Sequence, residues 1–153
     1  AGRTTQVIAS RCTNNTIYAI DPWYKTETPI IYDGMTDYNG TEFDSNDIQN
    51  IFTSTILQNY TNVKSIQGLF PNDFPNISNI SWIHWDTDTI HDNIELHRQL
   101  EYSYNMLNDN GILSGHTFAY WMPCVVQVVR EFANVHNVDI ILPPSGSIWY
   151  IKK

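Results

Sequence analysis

The apolar positions of this chain change period several times, and each change marks an element. Val7 and Ile8 stand among polar neighbours in "GRTTQVIASRC", which predicts a short helix from about Thr4 with hydroxyls in its first turn. Residues 16–21, "TIYAID", form a β-branched run ending in an acid, the pattern of a buried parallel strand. Pro22 then forbids further ladder pairing. Residues 23–43 carry no period and hold Pro29, Gly34 and Gly40 among aromatics. A connection this long predicts a lid or binding loop, with a plain surface loop as the alternative. Asp44 or Ser45 caps a helix to about Tyr60, with Ile48, Ile51, Phe52, Ile56 and Leu57 on one stripe.

"VKSIQG" (63–68) and "ISWIHWD" (80–86) read as the next strands. A helix follows over 91–107, with Ile94, Leu100, Tyr104 and Leu107 for its buried face, and the "NDNG" turn of 108–111 stops it. "ILSGHTF" (112–118) is a strand whose carboxyl end falls at Gly115-His116. Pro123 opens a helix that buries Val126, Val129, Phe132 and Ala133. "VDIIL" and "SIWYIK", joined at Pro143-Pro144-Ser145-Gly146, read as an antiparallel pair. Strands alternating with helices predict an α/β fold: a Rossmann-like, doubly wound, mostly parallel sheet with a C-terminal antiparallel hairpin, in a single domain over 1–153. Ligands of such sheets bind beyond the carboxyl ends of the strands. The polar residues there are Asp21, Gln67-Gly68, His84 to Asp88 and Gly115 to Thr117, which predicts one polar rim.

Composition narrows the function. The formal net charge is −8 and the one adjacent basic pair is Lys152-Lys153, so a nucleic-acid partner is not expected. No apolar run approaches the ~20 residues that span a bilayer, and "AGRTTQ" is not a signal peptide. Cys12 and Cys124 sit in apolar helical surroundings and read as buried reduced thiols, which suits a cytoplasmic setting.

The densest chemistry is "SWIHWDTDTIHDN", residues 81–93. Asp86-Thr87-Asp88 has the D-x-D spacing of an aspartyl phosphatase. That enzyme also needs a downstream lysine and an acidic pair, but only Lys152 and Lys153 follow, and the later acids are scattered. His84, Asp86, Asp88 and His91 lack the spacing of a zinc hydrolase, and no cysteine joins them. The remaining reading puts Asp86 at a strand end beside a cofactor site, on the cofactor, a divalent metal or a substrate hydroxyl. Asp21, about 20 residues beyond the turn at Gly2, is placed to accept both ribose hydroxyls of a nucleoside cofactor. Its alternative role is to cap the turn before Pro22.

Taken together these motifs resemble the class I S-adenosylmethionine-dependent methyltransferases, in particular the small-molecule and sugar O-methyltransferases of the macrocin type. "GRTT" (2–5) resembles the end of the family's glycine-rich first motif, "YAIDPW" (18–23) its second-strand motif, "IHWDTD" (83–88) its H-x-D-x-D, and "NGILSGHTF" (110–118) its G-G-x-L-x-G-H-D-Y. "SIWYIKK" resembles the closing strand, so the likeness runs through nearly the whole chain. It implies S-adenosylmethionine as cofactor, with Gly2, Arg3 and Thr4 near its methionine part. Asp21 would hold the ribose, Gly68 and Leu69 the adenine. Asp86 would lie between cofactor and acceptor, with Asp86 and Asp88 as candidate Mg²⁺ ligands, and His116 would be the base facing a small-molecule or sugar acceptor. Tyr120-Trp121 and the aromatics of 23–43 would wall that acceptor. Two departures stand out. Thr117 replaces the family's acid after the histidine, and the family's first strand is not among these residues. The resemblance thus implies an N-terminally incomplete domain, with a non-catalytic Rossmann-like binding domain as the rival to the enzyme.

Overall fold

A computed structural model describes residues 2–23, 45–86, 93–144 and 146–153, with the side chains of 45 and 46 excepted. The chain is mixed α/β and divides into two compact units, Ala1–Pro75 and Asn76–Lys153. Its ladders form a sheet of two strands and a sheet of three.

In the first unit α1 (Arg3–Arg11) leads to β1 (Ile17–Asp21), and α2 (Ser45–Phe52) leads to β2 (Val63–Gln67). Helix α2 continues in π-helical form over Thr53–Leu57, close to the expected stop. Strands β1 and β2 pair in parallel, Ile17 opposite Val63 and Asp21 opposite Gln67, so both carboxyl ends finish together. Ala9, Trp23, Phe52, Ile56 and Val63 form the core. Asn62 ties the helix to the strands. Its side-chain amide is shared among the carbonyls of Ala9, Cys12 and Asn15 at 3.1–3.3 Å, which satisfies acceptors that the end of α1 leaves open. Gly2 caps α1 in the left-handed region (φ 74°) without a side-chain hydrogen bond. A β-carbon there would meet Phe52 and Ile56 at 2.7–2.9 Å, so packing alone requires the glycine.

In the second unit β3 (Ile80–Trp85), α3 (Asn93–Met106), β4 (Leu107–Gly115), α4 (Pro123–His136) and β5 (Trp149–Lys152) follow in order. β4 is the middle strand, parallel to β3 and antiparallel to β5. Leu96, Leu100, Leu113, Val125, Val128, Val129, Phe132, Trp149 and Ile151 are among the residues of one core cluster. Helices α3 and α4 pack together, with His97 to Glu131 at 2.9 Å and His136 to Glu101 at 2.8 Å at their exposed margins.

Five local expectations are corrected. "NDNG" is not a turn outside the sheet. Helix α3 passes directly into β4, and the step from Ile80 to Trp82 spans Leu107 to Ile112, so the segment is a bulge. Asn110 takes the positive φ there, 68°. Ile94 is 80% exposed; the buried stripe of α3 runs through Leu96, Leu100 and Ser103 instead. Val126 is only half-buried, with Val125 and Val128 turned inward. The closing hairpin shrinks to a single bridge, Ile141 with Tyr150, because Pro143 and Pro144 cannot donate to a ladder. Cys12 and Cys124 are free thiols, half-buried rather than buried. Among the described residues no helix is long and apolar enough to cross a membrane.

Candidate functional site

The carboxyl ends of the strands carry the polar groups in both units. In the first, Asp21 ends β1 and Gly68 follows β2, and the Gly68 N–H donates to the Asp21 carbonyl at 3.0 Å. The Asp21 carboxylate accepts from the Trp23 N–H at 2.7 Å, so it does cap the turn at Pro22. Burial pushes the Asp21 carboxyl up, and the Trp23 N–H pulls it partly back. A carboxylate short of solvation at a strand end fits a ligand that brings hydroxyl donors, so the residue suits a ribose diol. The Leu69 N–H donates to Asp73 Oδ2 at 2.8 Å, and a β-carbon on Gly68 would run into the Asp73 side chain. Gly68 is therefore required by Asp73. Leu69 offers an apolar side chain, 53% exposed, rather than a free amide. Arg3 and Thr4 are exposed on the first turn of α1.

In the second unit Asp86 follows β3 and His116 follows β4. The ladder reaches that far: Trp85 pairs with Gly115, and the His116 N–H donates to the Trp85 carbonyl at 3.0 Å. These bonds bring Asp86 Oδ1 to 4.0 Å from His116 Nδ1. His116 Nε2 lies 3.0 Å from Ser147 Oγ. Thr117, where an acid was expected, adopts φ 62° and donates its hydroxyl to the His116 carbonyl at 2.7 Å.

His84 stands opposite Ser114 in the ladder. Its Nδ1 lies 2.9 Å from Ser114 Oγ, which also accepts from Trp82 Nε1 at 2.7 Å. Burial pushes the His84 imidazole down from its ordinary value; Asp86 pulls it back and His116 pushes it further. Ser114 and Ser147 were not singled out in the sequence. Aligning the ends of the two parallel strands sets Ser114 beside His84, and that was the available signal. Ser147 had none.

Asp88 lies outside the described residues, as does nearly all of the aromatic stretch 23–43. Among the described residues no group of three His, Cys, Asp or Glu side chains is placed to hold a metal. Hard cations such as Mg²⁺ need several oxygen ligands, and among the described residues at the ends of β3 and β4 the carboxylate is that of Asp86. Tyr120 lines a shallow groove of about 410 Å³ with Pro123, Val126, Gln127 and Arg130 of α4, none of them a rim residue.

No protein-family profile matches the chain, and no curated protein matches it by sequence. Among solved structures it is similar to the precorrin-6y C5,15-methyltransferase from Geobacter metallireducens GS-15. The match has a TM-score of 0.53 and 12% identity, over 94% of this chain and 70% of that one. At this identity the likeness is one of fold alone, that of a mixed α/β chain.

Proposed function

We infer that the protein is an S-adenosylmethionine-dependent methyltransferase acting on an oxygen of a small-molecule or sugar acceptor. The observation that carries this is the pairing of Asp86 and His116 at neighbouring strand ends, 4.0 Å apart, in a chain whose fold is similar to that of a methyltransferase. S-adenosylmethionine, when bound, supplies a methyl group on a sulfonium, open to in-line displacement. The chain's own task is then alignment and proton removal.

Asp21 takes the two ribose hydroxyls, for which its partly desolvated carboxylate is suited. Leu69 lays its exposed side chain against the adenine, and Gly2, Arg3 and Thr4 at the start of α1 lie beside the methionine part. His116 accepts the proton of the acceptor hydroxyl. Asp86 Oδ1 faces Nδ1 across 4.0 Å and helps to orient the ring.

Calorimetric titration of the protein with S-adenosylmethionine tests this reading. Binding that is lost in Asp21→Ala is expected. A folded protein that takes up no cofactor would overturn it in favour of a non-catalytic domain.

A further inference from the structure

His116 is approached on both ring nitrogens by residues of its own unit: Asp86 Oδ1 at 4.0 Å from Nδ1 and Ser147 Oγ at 3.0 Å from Nε2. The two contacts differ in kind. An ionised carboxylate can only accept, so it favours a proton on the nitrogen that faces it. At 4.0 Å this is attraction across a gap rather than a made hydrogen bond. With Nδ1 protonated and the ring neutral, Nε2 presents a lone pair. The Ser147 hydroxyl is then the donor to it.

Ser147 is held in place independently of the histidine. Its carbonyl accepts from the Phe118 N–H at 2.8 Å, which ties the segment before β5 to the segment after β4. Two residues on, Trp149 pairs with Gly115, the neighbour of His116. Ser147 is 8% exposed, whereas the His116 side chain is 46% exposed. The ring thus leans on a fixed, buried hydroxyl and keeps its remaining surface open.

We propose that Ser147 is a positioning and proton-relay residue for His116: it fixes the ring and, together with Asp86, selects the Nδ1–H tautomer, and because its hydroxyl fills the one lone pair of Nε2, the acceptor's proton reaches the ring by way of Ser147 Oγ, which passes its own proton to Nε2 as it takes the acceptor's. The role rests on the reading of His116 as the base of methyl transfer. A hydroxyl suits it because it can reverse. In the imidazolium both nitrogens donate, and Ser147 turns about its Cβ–Oγ bond to accept from Nε2 while Asp86 faces Nδ1. His84 is the other titratable group that senses His116, and its own Nδ1 is engaged by Ser114.

The test is nitrogen NMR of ¹⁵N-histidine-labelled protein above the imidazole titration range, with the His116 signals assigned by their disappearance in His116→Asn. In the wild type the proton is expected on Nδ1. Ser147→Ala should move population to the Nε2–H tautomer, and Ser147→Thr, which returns a hydroxyl, should restore it. A wild-type ring protonated on Nε2 overturns the proposal, as does a Ser147→Ala spectrum with unchanged tautomer populations. The wild-type measurement holds even if a variant fails to fold. Titration of the same samples with S-adenosylmethionine reads the enzyme assignment separately. Failure to bind with an Nδ1–H ring refutes that assignment alone, and binding with an Nε2–H ring refutes the role of Ser147 alone.

Discussion

Gly115 and Trp149 face one another across the β4–β5 ladder, and the indole occupies the space that a β-carbon on Gly115 would need. The nearest indole atoms lie 2.6–2.7 Å from that position, and Trp149 is fully buried, so it has nowhere to move. The glycine of "SGH" is therefore a packing requirement, and it places the backbone of His116 one residue later. Gly115→Ala should destabilise the protein by about 1–3 kcal/mol, the usual cost of overpacking a core. The check is a lower denaturant midpoint at unchanged slope. The same change should cost less in a Trp149→Leu background, because the two residues share one space.

Asp21 is a residue whose charge the fold disfavours. Burial raises its carboxyl above the ordinary 3.8. A raised folded value means that the folded chain holds its proton more tightly than the unfolded chain. Stability therefore falls as the pH rises through that window, and the loss persists at neutral pH. Asp21→Asn keeps an oxygen for the Trp23 N–H and removes the charge. Thermal unfolding at pH 7 should show equal or higher stability. Calorimetry should show S-adenosylmethionine affinity reduced by about tenfold or more, roughly 1.4 kcal/mol. Unchanged affinity would remove the ribose role.

His84 gives the opposite sign. Its folded value is lowered, chiefly by burial, from the ordinary 6.5. The unfolded chain then binds the proton more readily, so stability is lost as the pH falls below that ordinary value and levels off once the folded group also titrates. His84→Asn should flatten this dependence between pH 8 and 5. Unfolding midpoints of the two proteins across that range would show it; parallel curves would contradict it.

His116→Ala should lower transfer of a labelled methyl group to the acceptor by about 10²-fold or more, the usual contribution of a positioned base. S-adenosylmethionine affinity should be unchanged, since the loss falls on the chemical step. Intact turnover in this variant would exclude His116 as the base.

Asn62→Ala should destabilise the protein by about 1–3 kcal/mol, because the carbonyls of Ala9, Cys12 and Asn15 lose a shared donor. Chemical denaturation measures it. Asn62→Asp, which cannot donate, should do no better than alanine.

The strand ends were legible in the sequence for a physical reason. A short β-branched run that stops at Asp21, or at Gly115-His116, records both the burial of the strand and the return of solvent. The phase of α3 was not legible, because its buried face includes Gln99 and Ser103. These polar residues are satisfied by Glu95, which accepts from Gln99 at 2.9 Å, and by the Trp85 indole N–H, which donates to Ser103 at 3.3 Å. Neither bond can be seen in an apolar pattern. The first closing strand looked secure from Ile140, Ile141 and Leu142, yet the prolines after it cannot donate to a ladder and it keeps only the bridge at Ile141. The serines beside His84 and His116 escape an apolar pattern for a further reason. Serine carries no periodic signal, and only the strand register and the Phe118–Ser147 bond bring these two to the imidazoles. Gly2 and Gly68 illustrate the converse. Both stand where cofactor contacts were expected, and both are also demanded by neighbouring side chains.

Lys153 reaches from the end of β5 to the end of α3, where its ammonium donates to the carbonyls of Tyr104 and Leu107 at 2.9 and 3.0 Å and lies over the Tyr104 ring. Its backbone N–H donates to the Gly111 carbonyl at 2.9 Å, within the bulge of β4. A helix terminus, a bulge and a strand thus share one residue, whose positive charge also suits the carbonyl end of the helix. These three pieces cannot fray independently. The amides of the last turn of α3 and of β5 belong to one cooperative opening unit and should exchange with solvent at a common rate.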